Sequence, residues 1–464
     1  MKSMFKQTVD DRVFYSKLFT IAMPIIIQNF IMSSLNLVDV MMIGQVGDVA
    51  VASVGLANQI YFLLRLLLFG ICSGSSVFAA QFWGIREIPK IKKVLGLSLL
   101  LSIGAGSIFT VLAIFFPAWI LGLYTEDLQV IQQGAVYLRI VGISYIATAI
   151  SFAYSSVLRS VEEVNLPMLM SVIALVLNII LNYGLILGKL GMPQLGIQGA
   201  AIGTTVARSV EFILLLVLTY RRGTPAAAKL HEMWGYSREF LRSFFKTTGP
   251  VIFNELLWSL GCTMYYVIYA HMNTASLAAA NIASTVQSMG FVFLIGIASG
   301  CAILVGNQIG ASYEDTAYIY AKKSMQVNVI FGIILGFILH FAAPYILKLY
   351  LVSDETAYLA TRMIQMQGYS FWIKSIGMIL IVGIMRSGGD TQYSMLLDVG
   401  CIWLVGLPLG ALAAFVFHLP AYWVTLIFVS EDVVKSAVGL NRFVSRKWIN
   451  NLASVPLPNN SNPS

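Results

Sequence analysis

Charge is scarce in this chain. Only 11% of its 464 residues are Asp, Glu, Lys or Arg, against about 25% in soluble globular domains, which excludes a water-soluble fold. Histidine is sparser still: His231, His271, His340 and His418 stand far apart without metal-ligand spacing, which argues against an integral-membrane enzyme. Cys72, Cys262, Cys301 and Cys401 all fall inside apolar runs, so they read as small apolar residues rather than a disulfide framework. No glycine-rich phosphate loop ending in Lys-Ser/Thr occurs, and no soluble stretch is long enough for a nucleotide-binding domain. The period-two alternation of an outer-membrane barrel is missing as well.

What remains is apolar: 58% of the residues, with a mean hydropathy of +0.81. A spanning helix needs roughly 20 apolar residues. Twelve such runs fall near 18–44, 51–83, 94–116, 130–157, 166–188, 196–220, 244–270, 277–308, 325–350, 356–385, 392–415 and 420–438. This predicts an all-α polytopic membrane protein with twelve transmembrane helices. The net charge of +8 is distributed by topology. With an inside N-terminus, segments such as Lys2 to Lys17, Arg86 to Lys93, Arg221 to Lys246 and Arg442 to Lys447 carry the positive residues on the cytoplasmic side. The opposite loops hold only Lys189 and Lys348. This is the positive-inside bias, so both termini are expected in the cytoplasm of an inner (plasma) membrane protein, and nucleic acid is not the expected partner. Met1 to Lys17 reads as a cytoplasmic segment without a signal peptide, and the polar tail Asn450 to Ser464 as cytoplasmic.

The chain repeats itself. Setting Pro24 against Pro250 gives an offset of 226 under which Gly70, Ser73, Gly74 and Gly84 fall on Gly296, Ser299, Gly300 and Gly310. Leu123, Tyr124, Gly142 and Ser144 fall on Leu349, Tyr350, Gly368 and Ser370. The expected organisation is a cytoplasmic segment 1–17, an N-lobe 18–220, a cytoplasmic linker 221–243, a C-lobe 244–438 and a tail 439–464. Six helices per repeat make the two bundles parallel and pseudo-symmetric, the architecture of secondary transporters that alternate access. The Gly70/Gly74 and Gly296/Gly300 pairs have the spacing that lets helices pack closely.

Ionisable residues inside spans are costly and mark function by default. Arg139, Arg362 and Asp398 lie near helix ends and can snorkel. Asp39 lies roughly 7–8 Å inside the outer end of the first run at 1.5 Å per residue. By the same rise Asn178 and Asn182 lie about 15 and 9 Å inside the end of the fifth run, and Thr204 about 12 Å inside the sixth. These oxygens converge at one depth and could hold Na⁺, or could tune a carboxylate that binds H⁺. Alternatively Asp39 snorkels and the amides join helices. Glu255 and Lys374 both lie near mid-depth and are expected to pair, with a coupling role for Glu255 and a purely structural ion pair both open. Arg208 and Glu211 at i, i+3 look like an internal pair. Met32, Met264, Tyr61, Tyr265 and Phe291 are of a kind suited to flat cations, although packing explains any one of them.

Six motifs in order resemble the multidrug and toxic compound extrusion (MATE) family, bacterial type. They are Val38-Asp39-Val40-Met41-Met42-Ile43-Gly44, Gln81-Phe82-Trp83-Gly84, Leu158-Arg159-Ser160, Leu177-Asn178-Ile179-Ile180-Leu181-Asn182, Gly199-Ala200-Ala201-Ile202-Gly203-Thr204 and Met385-Arg386-Ser387-Gly388-Gly389-Asp390-Thr391. The resemblance implies two lobes around a cavity and a secondary active exporter that moves organic cations and drugs out against inward H⁺ or Na⁺. It assigns the N-lobe cation site to Asp39, Asn178 and Thr204, and puts Asn182 where many members have Asp. The helix 7 acid of some members matches Glu255, whereas their helix 10 Asp would fall at Lys374 or Ser375. Both departures favour H⁺ over Na⁺ as the coupling ion, with no cofactor.

The expected cycle has Asp39 deprotonated while an organic cation occupies the cavity of a monomer in the lipid bilayer. Protonation of Asp39 then bends the first helix at Pro24, the hinge, with Pro250 as its repeat mate, because a proline inside a helix leaves a carbonyl unpaired. The alternative is a lipid or lipid-linked oligosaccharide flippase of the same wider superfamily, with Arg65, Arg208 and Lys374 as anion-binding groups.

Overall fold

The computed structural model describes residues 10–348, 350 and 352–454, without the side chains of residues 34–37 and 40. Lys2 and Lys6 of the N-terminal segment, Leu349 of the repeat and the tail from residue 455 lie outside the described residues. The described chain is almost wholly helical; among these residues no strand forms, and the only β pairing is an isolated bridge between Gly389 and Ile449. Ten helices are long and apolar enough to cross a membrane.

Two further apolar runs are broken into shorter helices. Helix α5 (Leu128–Gly142) and helix α6 (Ser144–Ser160) together make an eleventh span, bent by 48°. The bend has a local cause: hydroxyls take the carbonyls that a straight helix would use. Ser144 Oγ donates to Val141 O at 2.7 Å and Thr110 Oγ1 donates to Gly142 O at 3.0 Å. The run expected over 420–438 is divided at Val429 into α15 (Ala421–Phe428) and α16 (Ser430–Val444). Neither piece alone is long enough to span.

By contacts the chain divides into two compact units, one of residues 27–244 (the N-unit) and one of residues 10–26 with 245–454 (the C-unit). Helix α1 (Asp11–Gly44) changes unit two residues after Pro24, which lies inside the helix. The first stretch of α1 therefore packs with the C-unit, where residues 18–26 were expected in the N-lobe.

Within the N-unit, α2 (Asp48–Gly84) packs on α3 (Ile88–Phe115) and α6, and α7 (Asn165–Leu187) packs along α8 (Ile197–Arg221). The α7–α8 hairpin is tight because Gly188 closes α7 in a left-handed conformation at φ +67°. A side chain at Gly199 would collide with the Leu185 carbonyl, so glycine there is what lets the two backbones meet. The linker between the repeats is strapped to α3: Lys92 Nζ donates to both oxygens of Glu232 at 2.9 Å, and Lys93 Nζ to Gly235 O at 2.9 Å. Phe78, Phe240 and Phe244 stack beneath it.

Within the C-unit, α10 (Thr274–Gly310), α11 (Glu314–Leu347) and α12 (Asp354–Met378) pack on one another. Gly296 and Gly300 of α10 receive Ile26, Ala22 and Leu18 of α1, which is the close helix packing that their spacing predicts. Past α12 the chain continues as a π-helix over Ile379–Met385. Helix α13 (Thr391–Cys401) runs into a second π stretch at Ile402–Gly406. Such i→i+5 turns insert an extra residue per turn and recur at functional positions.

Candidate functional site

In the N-unit the sequence-predicted residues are joined by hydrogen bonds. Asn178 and Asn182 stand one turn apart on α7, so their amides share a face. Asn182 Nδ2 donates to Asp39 Oδ1 at 2.6 Å and to Asn178 Oδ1 at 3.1 Å. Asn178 Nδ2 in turn donates to Thr204 Oγ1 on α8 at 3.3 Å. Asp39, Asn178 and Asn182 are buried, the two amides completely. The Gly199/Gly203 pair brings Thr204 into this line, because α8 could not approach α7 with larger residues at those positions. A Cβ at Gly203 would collide with Asn182 Oδ1 itself, an atom without a hydrogen-bond partner among the described residues.

Tyr137, Gln28 and Ser171 extend the polar surroundings of this line and were missed from the sequence, whereas Arg208 was not. Tyr137 of α5 is 3% exposed and lies beside Thr204 and within electrostatic reach of Asp39. Its signal was its place on the buried stripe of α5 with Val130, Gly134 and Val141, since a buried phenol needs a polar partner. Arg208, whose guanidinium attracts Asp39, is held by Glu211 at 3.1 Å, the pair expected from the i, i+3 spacing. It also reaches Met32 Sδ at 3.5 Å and lies 5.9 Å from the Tyr61 ring centre. Glu211 Oε1 accepts from Ser171 Oγ at 2.8 Å, and Ser171 Oγ accepts from Gln28 Nε2 at 3.0 Å. Arg159 of α6 donates to Gln28 Oε1 at 3.1 Å. Gln28 and Ser171 carry no charge and so gave no signal of cost inside a membrane.

In the C-unit, Glu255 lies on α9 (Arg238–Met272). Its partner is Arg386, not Lys374: Arg386 Nη2 meets Glu255 Oε1 at 2.7 Å, with both residues buried. Lys374 makes no ion pair or hydrogen bond among the described residues, and lies within electrostatic reach of Glu431. The expectation failed because depth along a span says nothing about azimuth. Asp398, set aside as a snorkelling residue, is also buried, with Lys435 Nζ at 2.7 Å and Asn254 Nδ2 donating at 3.1 Å. Lys435 and Arg386 belong to this buried network and are 5% and 3% exposed, so neither is a free cytoplasmic charge.

Of the two expected hinge residues, Pro24 lies inside α1 and Pro250 inside α9. Both helices are continuous through their prolines.

The family model described as MatE matches residues 24–184 and again 250–412, most of the chain and both repeats. The chain belongs to the MatE family. MatE proteins are transporters, and the curated relatives agree. A Bacillus subtilis "probable multidrug resistance protein YoeA" is 27% identical over 83% of this chain and 84% of its own length. A second B. subtilis protein, the "uncharacterized transporter YisQ", is 26% identical over 97% of this chain and 98% of its own. Among solved structures, a variant of the Vibrio cholerae MATE transporter VcmN superposes with a TM-score of 0.86 at 18% identity, covering 95% of this chain and 99% of that one. This last likeness shows the twelve-helix MatE fold.

Proposed function

We propose that this MatE transporter is a secondary active multidrug exporter, which carries organic cations or drugs outward against an inward flow of H⁺, with Asp39 as the group that exchanges the proton. The observation that supports this best is the buried line Asp39, Asn182, Asn178, Thr204. A carboxylate inside a membrane is expensive, and three neutral side chains with an electrostatic partner shared with Glu211 leave it able to exist in both protonation states. The donor chemistry favours H⁺ over Na⁺. Asn182 presents an N–H to Asp39, which stabilises a carboxylate but cannot ligate a metal ion; Na⁺ would need the amide turned to offer Oδ1, the atom now against Gly203.

In this account Pro24 is the hinge that feels the change in charge, both termini are cytoplasmic and the working unit is a monomer. The flippase alternative draws on Arg65, Arg208 and Lys374 for an anionic headgroup. Arg208 is already paired with Glu211, which weakens that set.

The test is efflux of a fluorescent organic cation from proteoliposomes under a pH gradient or a Na⁺ gradient imposed separately. Wild type is expected to respond to pH and Asp39→Asn to lose that response. Transport driven by Na⁺ alone would reject H⁺ as the coupling ion, and binding of anionic lipid headgroups in place of the cation would favour the flippase.

A further inference from the structure

We propose that the C-unit carries a second proton-exchange site on Glu431, in a buried charge cluster built around Lys435. The inference rests on the transporter reading and adds a proton station that Asp39 does not supply.

The cluster draws on four parts of the unit. Lys435 Nζ of α16 lies 2.7 Å from Asp398 Oδ1 of α13, 3.7 Å from Asp432 Oδ1 and 4.0 Å from Glu431 Oε1. All four residues are at most 8% exposed. Lys374 of α12 lies within electrostatic reach of Glu431, and Glu255 with Arg386 forms an adjoining pair that is already neutral. From α9 the cluster is faced by Asn254, Tyr265 and the Cys262 thiol, and from α13 by the Cys401 thiol. Three carboxylates therefore meet two ammonium groups. One negative charge is left over in a region where an uncompensated charge is very unfavourable, and a single bound proton removes it.

Geometry selects the carboxylate. Asp398 has both oxygens engaged, one by Lys435 and the other by Asn254. Asp432 lies nearer the ammonium than Glu431 does. Glu431 lies farthest of the three from Lys435 Nζ and has a hydroxyl on its other oxygen: Tyr265 OH donates to Glu431 Oε2 at 2.5 Å. A phenol can donate to the carboxylate and accept from the carboxylic acid, so it serves either state of Glu431. Gly406, at the end of the second π stretch, leaves room for this contact, because a Cβ there would collide with the Tyr265 hydroxyl and lie 2.9 Å from Glu431 Oε2.

Two buried polar atoms support an exchangeable occupant independently. Asn254 Oδ1 and Arg386 Nη1 have no hydrogen-bond partner among the described residues, on side chains 2% and 3% exposed. Both side chains reach into the cluster, through Asp398 and Glu255 respectively. Unmet groups of this kind are the ones that ordered water serves, and water is the carrier that a buried proton site requires. A metal ion fits less well: Lys435 holds the centre, and among the described residues no group of three or more His, Cys, Asp or Glu side chains is placed to hold one.

The test is a pH titration of the purified full chain, followed by the protonated-carboxyl stretch in the infrared at constant Na⁺. Glu431→Gln is expected to remove one titrating band and Asp39→Asn a different one, whereas Asp432→Asn, which removes the surplus negative charge, is expected to move the Glu431 band to lower pH. A Glu431→Gln spectrum identical to wild type overturns the proposal, as does a Glu431 band that keeps its pH in Asp432→Asn. Tyr265→Phe keeps shape and charge but removes a donor to the carboxylate, so it is expected to move the Glu431 band to higher pH; an unmoved band overturns the assignment. A band that Na⁺ abolishes at fixed pH would make the occupant a metal ion and also overturns it. The bands are read without transport, so failure of cation export and failure of this site are separate results.

Discussion

Asp39 of the N-unit and the Glu255 and Asp398 carboxylates of the C-unit are treated in opposite ways. In the N-unit, Asp39 accepts from the Asn182 amide at the end of a neutral line through Asn178 and Thr204, and its cationic neighbour Arg208 is bound to a second acid. In the C-unit, Glu255 and Asp398 each have a cation at 2.7 Å, although Lys435 beside Asp398 also serves Asp432 and Glu431. A carboxylate with a dedicated partner stays ionised and gives shape, whereas one served by neutral dipoles can gain or lose a proton without leaving a partner stranded. The repeat thus preserved the helices while the chemistry of the two sites diverged, with Glu255 standing where the first repeat has Asn29.

That contrast can be broken at its strongest point. Arg386→Ala strands Glu255 in the C-unit interior, and loss of one partner of a buried pair costs about 3–5 kcal/mol. Thermal unfolding in detergent should show it, and Glu255→Gln in the same chain should recover a large part. The N-unit should instead lose function more than stability. Gly203→Ala pushes a methyl into Asn182 Oδ1, an overpacking of about 1–3 kcal/mol. It should uncouple efflux from the pH gradient while the protein still folds, and unchanged coupling would show that the Asn182 contact is dispensable.

The smallest effect belongs to the linker strap. The hydrogen bonds from Lys92, and then the Lys229 backbone N–H, hold the Glu232 carboxyl below the usual carboxylate range. A group lowered in the folded state contributes stability that is complete above its unfolded pKa and is lost as pH falls through its folded value. Unfolding followed from neutral to acid pH should therefore show a slight extra loss in wild type that Glu232→Gln lacks.

Much of this was legible in the sequence, for particular reasons. Twelve apolar runs gave the spans, and counting depth at 1.5 Å per residue brought Asp39, Asn178, Asn182 and Thr204 to one level, where the structure joins them. Tyr137, Gln28 and Ser171 stayed hidden because uncharged residues carry no warning of cost in a membrane. The C-unit misled for another reason. Asp398, Arg386 and Lys435 sit near helix ends, where solvent is the default expectation, and the π turns and the break at Val429 that bury them have no strong local signature. Pairing Glu255 with Lys374 used depth alone, and faces decide pairs.

The central claim is that Asp39 exchanges its proton for the transported cation. Calorimetric titration of an organic cation into purified protein, repeated in buffers of different ionisation enthalpy, counts the protons released on binding. Wild type should release roughly one more proton than Asp39→Asn at a pH where the free site is protonated. Equal proton release from the two proteins would contradict the account.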